Sequence, residues 1–247
     1  MKTLRLNKFI SRSGIASVRG AEDLIAQGRV LVNGETATEP GTTVDPAQDV
    51  VHVDGERVTA LKKKHYYRFY KPKNVVSTMS DPEGRSSISE YVSELSVRVF
   101  PAGRLDYDAD GLMILTNDGD TANAVMHPSS KLPKTYQVKI NGSLSHRETE
   151  RFAAGVKIDG KKTLPAKIRL LEKRPGNSWY EVTITEGRNR QIKKMFSVFK
   201  KRILKLRRVS IGPIQLEGLA PGEIQKLTPE EKKRFLELIS KAESKRP

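Results

Sequence analysis

The chain has 247 residues, enough for one or two domains, and its hydrophobic content of 36% suffices for a buried core. Lysine and arginine outnumber aspartate and glutamate by 45 to 29, and the net charge of +16 indicates a polyanionic partner, most often a nucleic acid. A highly soluble basic protein without such a partner is the alternative. The absence of cysteine excludes disulfides, thiolate catalysis and cysteine-ligated zinc.

Targeting and metal signals are also lacking. The four histidines, His52, His65, His127 and His146, are scattered without the spacing of metal ligands. The first residues contain no apolar signal region, and no stretch approaches the length that crosses a membrane. We therefore expect a cytoplasmic protein that has no membrane partner and no metal, and that is a monomer.

Residues 1–60 are predicted to form a small separate α/β module. Apolar residues from Leu6 to Ile10 mark one face of a short helix that ends at Gly14, and Ser17 is placed to cap a second helix that ends at Gly28. The segments 29–35 and 50–55 each read as a strand entering a turn, the first at Asn-Gly and the second at Asp-Gly.

Charge is divided sharply inside this module. Residues 1–30 carry six bases and two acids, whereas residues 31–60 carry one base and six acids. Lys8, Arg12, Arg19 and Arg29 therefore form a candidate phosphate-binding face, against the alternative of a merely solvated basic surface. The order helix, helix, strand with the run Gly-Arg-Val-Leu-Val-Asn-Gly also resembles the RNA-binding domain named after ribosomal small-subunit protein four.

The charged run at 61–64 is the predicted linker, and residues 65–240 are the predicted second domain. It opens with a β-prone strand from Tyr66 that stops at Pro72, followed by Asn74, a residue that tolerates a left-handed turn. Apolar spacing from Ile88 to Leu95 suggests a helix, and residues 97–100 suggest a strand.

The most informative stretch runs from Gly103 to Gly119. Leu112–Leu115 is a short apolar run before Asn-Asp-Gly, which predicts a buried strand with Asp106 on the loop that feeds it. Asp106, Asp108, Asp110 and Gly111 match the start of a calcium loop, but the twelfth position is Asn117 instead of glutamate. In an extended segment Asp106 and Asp108 would point to opposite faces, a poor arrangement for a paired-carboxylate hydrolase. The third interpretation is one carboxylate nucleophile beside an arginine, the other acids being solvated turn residues.

That third interpretation agrees with a resemblance. Gly103-Arg104-Leu105-Asp106, Gly111-Leu112 and Leu115-Thr116-Asn117-Asp118-Gly119 resemble the motif of ribosomal RNA pseudouridine synthases of the small-subunit and large-subunit type, and the layout looks closest to the large-subunit branch. The family usually has threonine or serine where this chain has Ala109. Its Lys-Pro-x-Gly-Val motif is similar to the segment from Lys71, with Asn74 in place of glycine. The domain at 1–60 commonly precedes this family's catalytic part.

Further elements are predicted in order: a helix at 120–126, a strand at 134–140 whose Asn141-Gly142 favours a hairpin, a helix at 145–154 and strands near 166–171 and 179–185. A capping box at Thr228 starts a C-terminal helix, and residues 241–247 are expected to be frayed.

Cations concentrate between Glu186 and Val209, where ten of 24 residues are lysine or arginine. Apolar residues from Ile192 to Phe199 fall at helical spacing, so the intervening lysines are expected on the helix rim; on the following strand Leu204 and Leu206 share one face. A solvated basic helix is the alternative to an RNA groove. The run from Gly187 is similar to the family's Gly-Arg-x-x-Gln-Ile-Arg-Arg, with Lys193 in place of the key arginine. Lysine keeps the positive charge but cannot form the bidentate hydrogen bonds of a guanidinium group.

The resemblance implies a fold and a reaction. The fold would be α+β, with a small α/β RNA-binding domain before a pseudouridine synthase domain built on a mixed, mainly antiparallel sheet with a catalytic cleft. The reaction would convert a uridine of ribosomal RNA to pseudouridine without a cofactor, after the nucleoside is flipped into a pocket. The partner would be ribosomal RNA, large-subunit RNA or its assembly intermediates. The alternative is a noncatalytic RNA-binding or ribosome-assembly protein on the same fold.

The resemblance also implies roles. Asp106 would be the nucleophile, attacking the base or the sugar, with Lys193 as its ion-pair partner and Arg188 as a fallback. Tyr136 would stack on the flipped base, Arg104 would fill the gap left by the base, and Ile192 would line the pocket. The predicted RNA contacts of the second domain are Lys71, Arg188, Arg190, Lys194, Lys200, Lys201 and Arg202.

Overall fold

The computed structural model describes residues 3–39, 41–59 and 63–244, which form two compact units. The first contains the described residues up to His65, with Ser96–Arg98 and Asn117–Gly119; the second contains the other described residues. Residues 61 and 62 of the predicted linker, and 245–247 of the predicted tail, lie outside the described residues. The domain limits inferred from the sequence stay predictions.

The two helices of the first unit are α1 (Leu6–Ser13) and α2 (Val18–Ala26). As predicted, α1 ends at Gly14, which adopts the left-handed conformation with φ 88°, and the Ser17 side chain caps α2 by accepting a hydrogen bond from Gly20 N. Their apolar faces meet in a core that contains Leu6, Ile10 and Ile25.

The six strands of the first unit are short: β1 (Leu4–Arg5), β2 (Val30–Val32), β3 (Glu35–Thr36), β4 (Thr43–Val44), β5 (Val51–Val53) and β6 (Glu56–Val58). Four form an antiparallel sheet in the order β3-β2-β5-β6, and β1 pairs with β4. Both predicted tight turns are confirmed, because Asn33-Gly34 and Asp54-Gly55 join neighbouring strands with positive φ at each residue.

The second unit contains five helices and eleven strands among the described residues. The helices are α3 (Ile88–Val92), α4 (Gly119–Met126), α5 (His146–Ala153), α6 (Gln191–Ser197) and α7 (Pro229–Glu243), with a 3₁₀ turn at Pro128–Ser130. The strands are β7 (Tyr66–Lys71), β8 (Phe100–Pro101), β9 (Asp110–Thr116), β10 (Lys134–Asn141), β11 (Lys157–Ile158), β12 (Lys161–Lys162), β13 (Lys167–Arg174), β14 (Asn177–Ile184), β15 (Ile203–Ile211), β16 (Ile214–Gln215) and β17 (Ile224–Lys226).

Nine of these strands form one sheet, whose main path is β13-β14-β10-β15-β9-β7-β17, with β16 on β15 and β8 on β9. Every pairing is antiparallel except the one between β15 and β9. The prediction of an α+β fold with a mixed, mainly antiparallel sheet is therefore confirmed. The parallel pair is short: Asp110 lies opposite Arg207, and Gly111 lies opposite Arg208.

The core of this unit lies against the centre of the sheet. Leu112 and Ile114 of β9 point to the same face because they are two residues apart, and they belong to one apolar cluster with Phe235 of α7 and Val125 of α4. Further along the sheet, α5 and α6 pack their aromatic residues together, with the Phe152 and Phe196 ring centroids 4.8 Å apart. These helices thus pack beside the strands that carry the cleft described below.

Three local predictions differ from the structure. Asn141-Gly142 does not form a hairpin: β10 runs into α5, and its sheet partners are the distant strands β14 and β15. The strand predicted at 97–100 is reduced to Phe100–Pro101, and the helix predicted from Ile88 ends at Val92 instead of Leu95. For β10, pairing with distant strands overrides the local preference for a hairpin.

Candidate active site

The loop between β8 and β9 carries Asp106, as predicted, and it is held at several points. Asp106 to Ala109 form a tight turn closed by a hydrogen bond from Ala109 N to Asp106 O of 3.1 Å. The Ser77 hydroxyl accepts from Leu105 N at 3.0 Å and donates to Leu105 O at 2.7 Å. The backbone of Asn74, left-handed with φ 60° as the sequence predicts, donates to Tyr107 O. These bonds fix the backbone of the loop on which Asp106 lies.

Lys193, on the first turn of α6, is the cation of the site. Its Nζ lies 3.1 Å from Asp106 Oδ2, and it also hydrogen-bonds Asp108 Oδ1. The predicted ion pair between Asp106 and Lys193 is confirmed. The hydrogen bond from Lys193 lowers the pKa of the Asp108 carboxyl below its ordinary value.

The geometry corrects two expectations about the acids. Asp106 and Asp108 do not point to opposite faces, because the chain turns at Tyr107 and one ammonium group reaches both carboxylates. Asp110 is not a solvated turn residue, since its side chain is 13% exposed and both its oxygens accept from Arg207 at 3.0 and 3.1 Å. The acids that resembled a calcium loop are therefore neutralised by lysine and arginine.

The five predicted catalytic residues line one cleft of about 370 Å³. Asp106 and Arg104 come from the β8–β9 loop, Tyr136 from β10, and Ile192 and Lys193 from α6. Tyr136 and Ile192 are 8% and 4% exposed and form buried walls, whereas Arg104 is exposed. A second depression, lined by residues of the 76–85 segment, shares Arg104, Asp106 and Lys193 with the cleft.

Arg188 has a different place from the one expected. Its Nε donates to Glu186 Oε2 at 3.1 Å, and its two terminal nitrogens donate to the carbonyl oxygens of Lys161 and Lys162 at 3.2 and 2.7 Å. Glu186 in turn accepts from Gln191 Nε2 at 2.8 Å. Arg188 lines the cleft, but its bonds join the loop before α6 to β12, and Asp106 pairs with Lys193, the first choice from the sequence.

The predicted RNA contacts fall into different places. In the first unit Lys8, Arg12 and Arg19 are exposed, and Arg29 forms a bidentate pair with Asp54 at 2.7 Å. In the second unit Arg190 lines the cleft, and Lys194 pairs with Asp159 at 2.6 Å. Lys200, Lys201 and Arg202 follow α6 and are not among the residues that line the cleft.

The predicted RNA contact of Lys71 is wrong. Its side chain is 0% exposed, and its Nζ donates to the carbonyl oxygens of Pro72 and Val75 at 2.7 and 2.8 Å. Burial lowers the pKa of Lys71 to about 8, although Asp110 and Asp108 act in the opposite direction. A buried ammonium group that is bound to backbone carbonyls holds the 71–75 turn and cannot contact a phosphate.

Sequence reasoning missed two further residues of the cleft, Lys134 and Arg208. Lys134 is 9% exposed and Arg208 is 3% exposed, and both line the cleft with Asp106. A signal was present for each of them. Lys134 alternates in phase with the buried Tyr136 and Val138, and Arg208 is in phase with Leu206.

Two features of the described residues concern metals and membranes. Residues 3–39, 41–59 and 63–244 contain no group of three histidine, aspartate or glutamate side chains that could hold a metal ion. No helix in the described part of the chain has the length and apolar character needed to cross a bilayer.

Comparisons with known proteins agree with both resemblances. A family model described as RNA pseudouridylate synthase matches residues 65–198, and a model described as S4 domain matches residues 4–51. A Bacillus subtilis protein named ribosomal large subunit pseudouridine synthase B is 40% identical over 233 residues, which are 94% of this chain and 95% of that protein.

Two other relatives extend the comparison. An Aquifex aeolicus protein, named as an uncharacterized RNA pseudouridine synthase, is 40% identical over 228 residues, which are 92% of this chain and 91% of that protein. A crystal structure of a pseudouridylate synthase superposes with a TM-score of 0.68 at 29% identity, covering 94% of this chain and 99% of that one.

Proposed function

Because the chain belongs to the RNA pseudouridylate synthase family and is thus an isomerase that acts on RNA, we propose that it converts a specific uridine of ribosomal RNA to pseudouridine. We further propose that the RNA is that of the large subunit, or an assembly intermediate containing it. The printed name of the Bacillus subtilis relative, with its 40% identity over nearly the whole chain, supports this choice.

The reaction moves the sugar from N1 to C5 of the same uracil ring. The bond between N1 and the anomeric carbon breaks, a bond from C5 to that carbon forms, C5 loses a proton and N1 gains one. Electrons and atoms balance within the nucleoside, so the reaction needs no oxidant, reductant or cofactor. The base must leave the RNA stack to expose these atoms, and a cleft of about 370 Å³ falls in the size range of small-molecule sites.

The observation that carries the proposal is the fixed carboxylate of Asp106 at the wall of this cleft, 3.1 Å from Lys193. The ammonium group contacts the carboxylate directly, and the bonds from Ser77 and Asn74 hold the loop in place before substrate arrives. In our proposal Asp106 attacks the flipped nucleoside, at the uracil ring or at the anomeric carbon.

The other cleft residues receive positioning roles. Tyr136 presents a buried ring for stacking on the base, and Ile192 adds a buried apolar side chain to the lining. Arg104 is exposed at the rim, where a planar cation suits stacking in the gap left by the base and contact with a phosphate. The exposed cations Lys8, Arg12 and Arg19 of the first unit suit phosphate contacts elsewhere on the RNA.

The test compares Asp106→Asn with Asp108→Asn. Both side chains contact Lys193, so the pair of variants separates a nucleophile from a mere partner of the lysine. Each protein is incubated with transcripts of large-subunit and small-subunit ribosomal RNA, and pseudouridine is mapped chemically. We expect wild type and Asp108→Asn to modify large-subunit RNA, and Asp106→Asn to bind RNA without forming product. Equal modification by wild type and Asp106→Asn would refute the nucleophile.

A second comparison, Lys193→Ala with Lys194→Ala, tests the ion pair. The two lysines are adjacent on α6, but Lys194 pairs with Asp159 and does not line the cleft. We expect Lys193→Ala to lower turnover with near-normal RNA affinity, and Lys194→Ala to keep its turnover. A loss in Lys193→Ala confined to salt-dependent affinity would show that Lys193 is only one more phosphate contact.

A noncatalytic RNA-binding or ribosome-assembly protein is the other candidate function. The intact Asp106 and Lys193 pair beside Tyr136 disfavours it, since RNA binding alone requires no buried cleft with a fixed carboxylate. Mapping pseudouridines in a strain that lacks the gene distinguishes the two. A missing pseudouridine supports the enzyme, and an unchanged map with defective ribosome assembly supports the alternative.

A further inference from the structure

Two cations at the cleft have no task in the chemistry proposed so far. Lys134, at the start of β10, is 9% exposed, and Arg208, on β15, is 3% exposed. Both line the cleft that contains Asp106 and Tyr136. Charged side chains are almost never buried to this extent unless they are paired.

Neither cation has an acidic partner. No ion pair joins Lys134 or Arg208 to a carboxylate among the described residues, and Lys134 Nζ donates a long hydrogen bond of 3.4 Å to the Leu132 carbonyl oxygen. Arg208 Nε donates to Leu112 O at 2.7 Å, but its Nη2 is buried with no hydrogen-bond partner in the described part of the chain. The neighbouring Arg207, by contrast, forms a bidentate pair with Asp110. A buried donor without an acceptor is unfavourable until a ligand supplies one.

Strand register places both cations beside Tyr136. Lys134 lies two residues before Tyr136 on β10, so the two side chains project from the same face of the sheet. Arg208 lies directly opposite Tyr136 on β15. If Tyr136 stacks on the base, these two cations lie next to the ring and not next to the outer RNA backbone.

We propose that Lys134 and Arg208 form an oxyanion subsite that binds a carbonyl oxygen of the flipped uracil and stabilises the negative charge that the ring acquires during the reaction. This inference rests on the proposed function and deepens it. It assigns an electrostatic catalytic role to two residues that the cleft geometry brings together.

Either route of attack gives the ring this charge. If the Asp106 carboxylate oxygen bonds to C6, the electron pair of the C5–C6 double bond moves towards the C4 carbonyl oxygen. If the same oxygen bonds to the anomeric carbon, the bond to N1 breaks and its electron pair leaves with the ring, where the C2 and C4 carbonyl oxygens share the charge. Fixed cations aimed at such an oxygen act without reorganisation, in surroundings that exclude water.

The electrostatics of Lys134 favour the binding of an anionic group. Burial, and to a smaller extent the positive charge of Arg208, lowers the pKa of Lys134 to about 8. An anion bound between the two groups would offset both effects. A backbone phosphate offers the same chemistry, but the depth of the two cations and their place beside Tyr136 favour the base.

The experiment measures single-turnover rates of Lys134→Met, with Lys139→Met as its matched control. Lys139 lies on the same strand but outside the cleft lining. The substrates are the same RNA carrying uridine or 5-fluorouridine at the target, and digestion with mass spectrometry follows disappearance of the original nucleoside. Fluorine stabilises the uracil anion, so this substrate depends less on the subsite.

We expect Lys134→Met to react about 100-fold more slowly than wild type on uridine, the usual effect of removing one oxyanion donor, with RNA affinity unchanged. The deficit should shrink on 5-fluorouridine, Lys134→Arg should recover part of the rate, and Lys139→Met should match wild type. Arg208→Lys, which keeps the charge, is the second probe; far-ultraviolet circular dichroism reports whether each variant is folded.

Three results would overturn the subsite. The first is a wild-type single-turnover rate in Lys134→Met, and the second is an equal loss of rate in this variant on uridine and on 5-fluorouridine. The third is a loss confined to the salt-dependent affinity for RNA, which would show that the two cations bind a phosphate. All three presuppose an active wild-type protein, so they leave the proposed function intact. A wild-type protein that makes no pseudouridine would overturn both.

Discussion

Replacing Gly111 by alanine tests the close approach of β9 and β15, the parallel pair that connects the Asp106 loop to Arg208. Gly111 has φ 116°, and an added Cβ would lie 2.3 Å from Arg208 O and 2.6 Å from Arg208 N. Ordinary contacts of a Cβ atom begin at 3.4 Å, so the two backbones would have to separate by about 1 Å.

The expected loss of stability in Gly111→Ala has two causes. A residue with a side chain at this positive φ is strained by roughly 1–3 kcal/mol, and forcing extra atoms into a packed interior costs about 1–3 kcal/mol more. We therefore expect Gly111→Ala to lower the free energy of unfolding by about 2–6 kcal/mol. For a chain of this size the melting temperature should fall by roughly 2–4 °C for each kcal/mol.

The control is Gly119→Ala, at the first residue of α4. An added Cβ there meets no heavy atom within 4 Å, so its effect should stay within about 1 kcal/mol of wild type. Urea and thermal unfolding are followed by the fluorescence of Trp179, the only tryptophan, which lies on β14 of the same sheet. If Gly111→Ala is as stable as Gly119→Ala, the reasoning about the close approach is refuted.

Three further outcomes test other parts of the structure. Because burial lowers the pKa of Lys71 to about 8, the unfolded chain binds this proton more tightly, and wild-type stability should rise by about 3 kcal/mol on this account between pH 8 and 10.5. The free energy of unfolding of Lys71→Met, measured by urea unfolding at several pH values across that range, should lack this rise. If the variant shows the same rise with pH as wild type, Lys71 is not its cause. Ser145→Ala removes a capping box of α5 and should cost about 1 kcal/mol in urea unfolding, whereas loss of the fold would contradict a purely local role. Arg188→Lys keeps the charge but loses the clamp on β12, so unfolding should require about 1–2 kcal/mol less; wild-type stability would show that the clamp is unimportant.

The sequence alone was sufficient where short-range rules operate. The caps at Gly14 and Ser17, the turns at Asn33-Gly34 and Asp54-Gly55, and the left-handed Asn74 each depend on a few neighbouring residues, and the structure has all of them. The family resemblance also assigned Asp106, Lys193 and Tyr136 to one site, and all three line the same cleft. A motif of defined residues and order carries long-range information that periodicity does not.

Tertiary structure decided everything that depends on a distant partner. Asn141-Gly142 has the local preference for a hairpin, but burial of β10 between β14 and β15 determines where the chain goes. In the sequence Lys71 has the features of a surface cation, but the folded chain buries it. Lys134 and Arg208, 74 residues apart in the sequence, become neighbours only because β10 pairs with β15. The preference of a residue for helix or strand amounts to about 1 kcal/mol, whereas burying a whole strand stabilises the fold by several times as much. The packing of the strands therefore decides which charged side chains become neighbours.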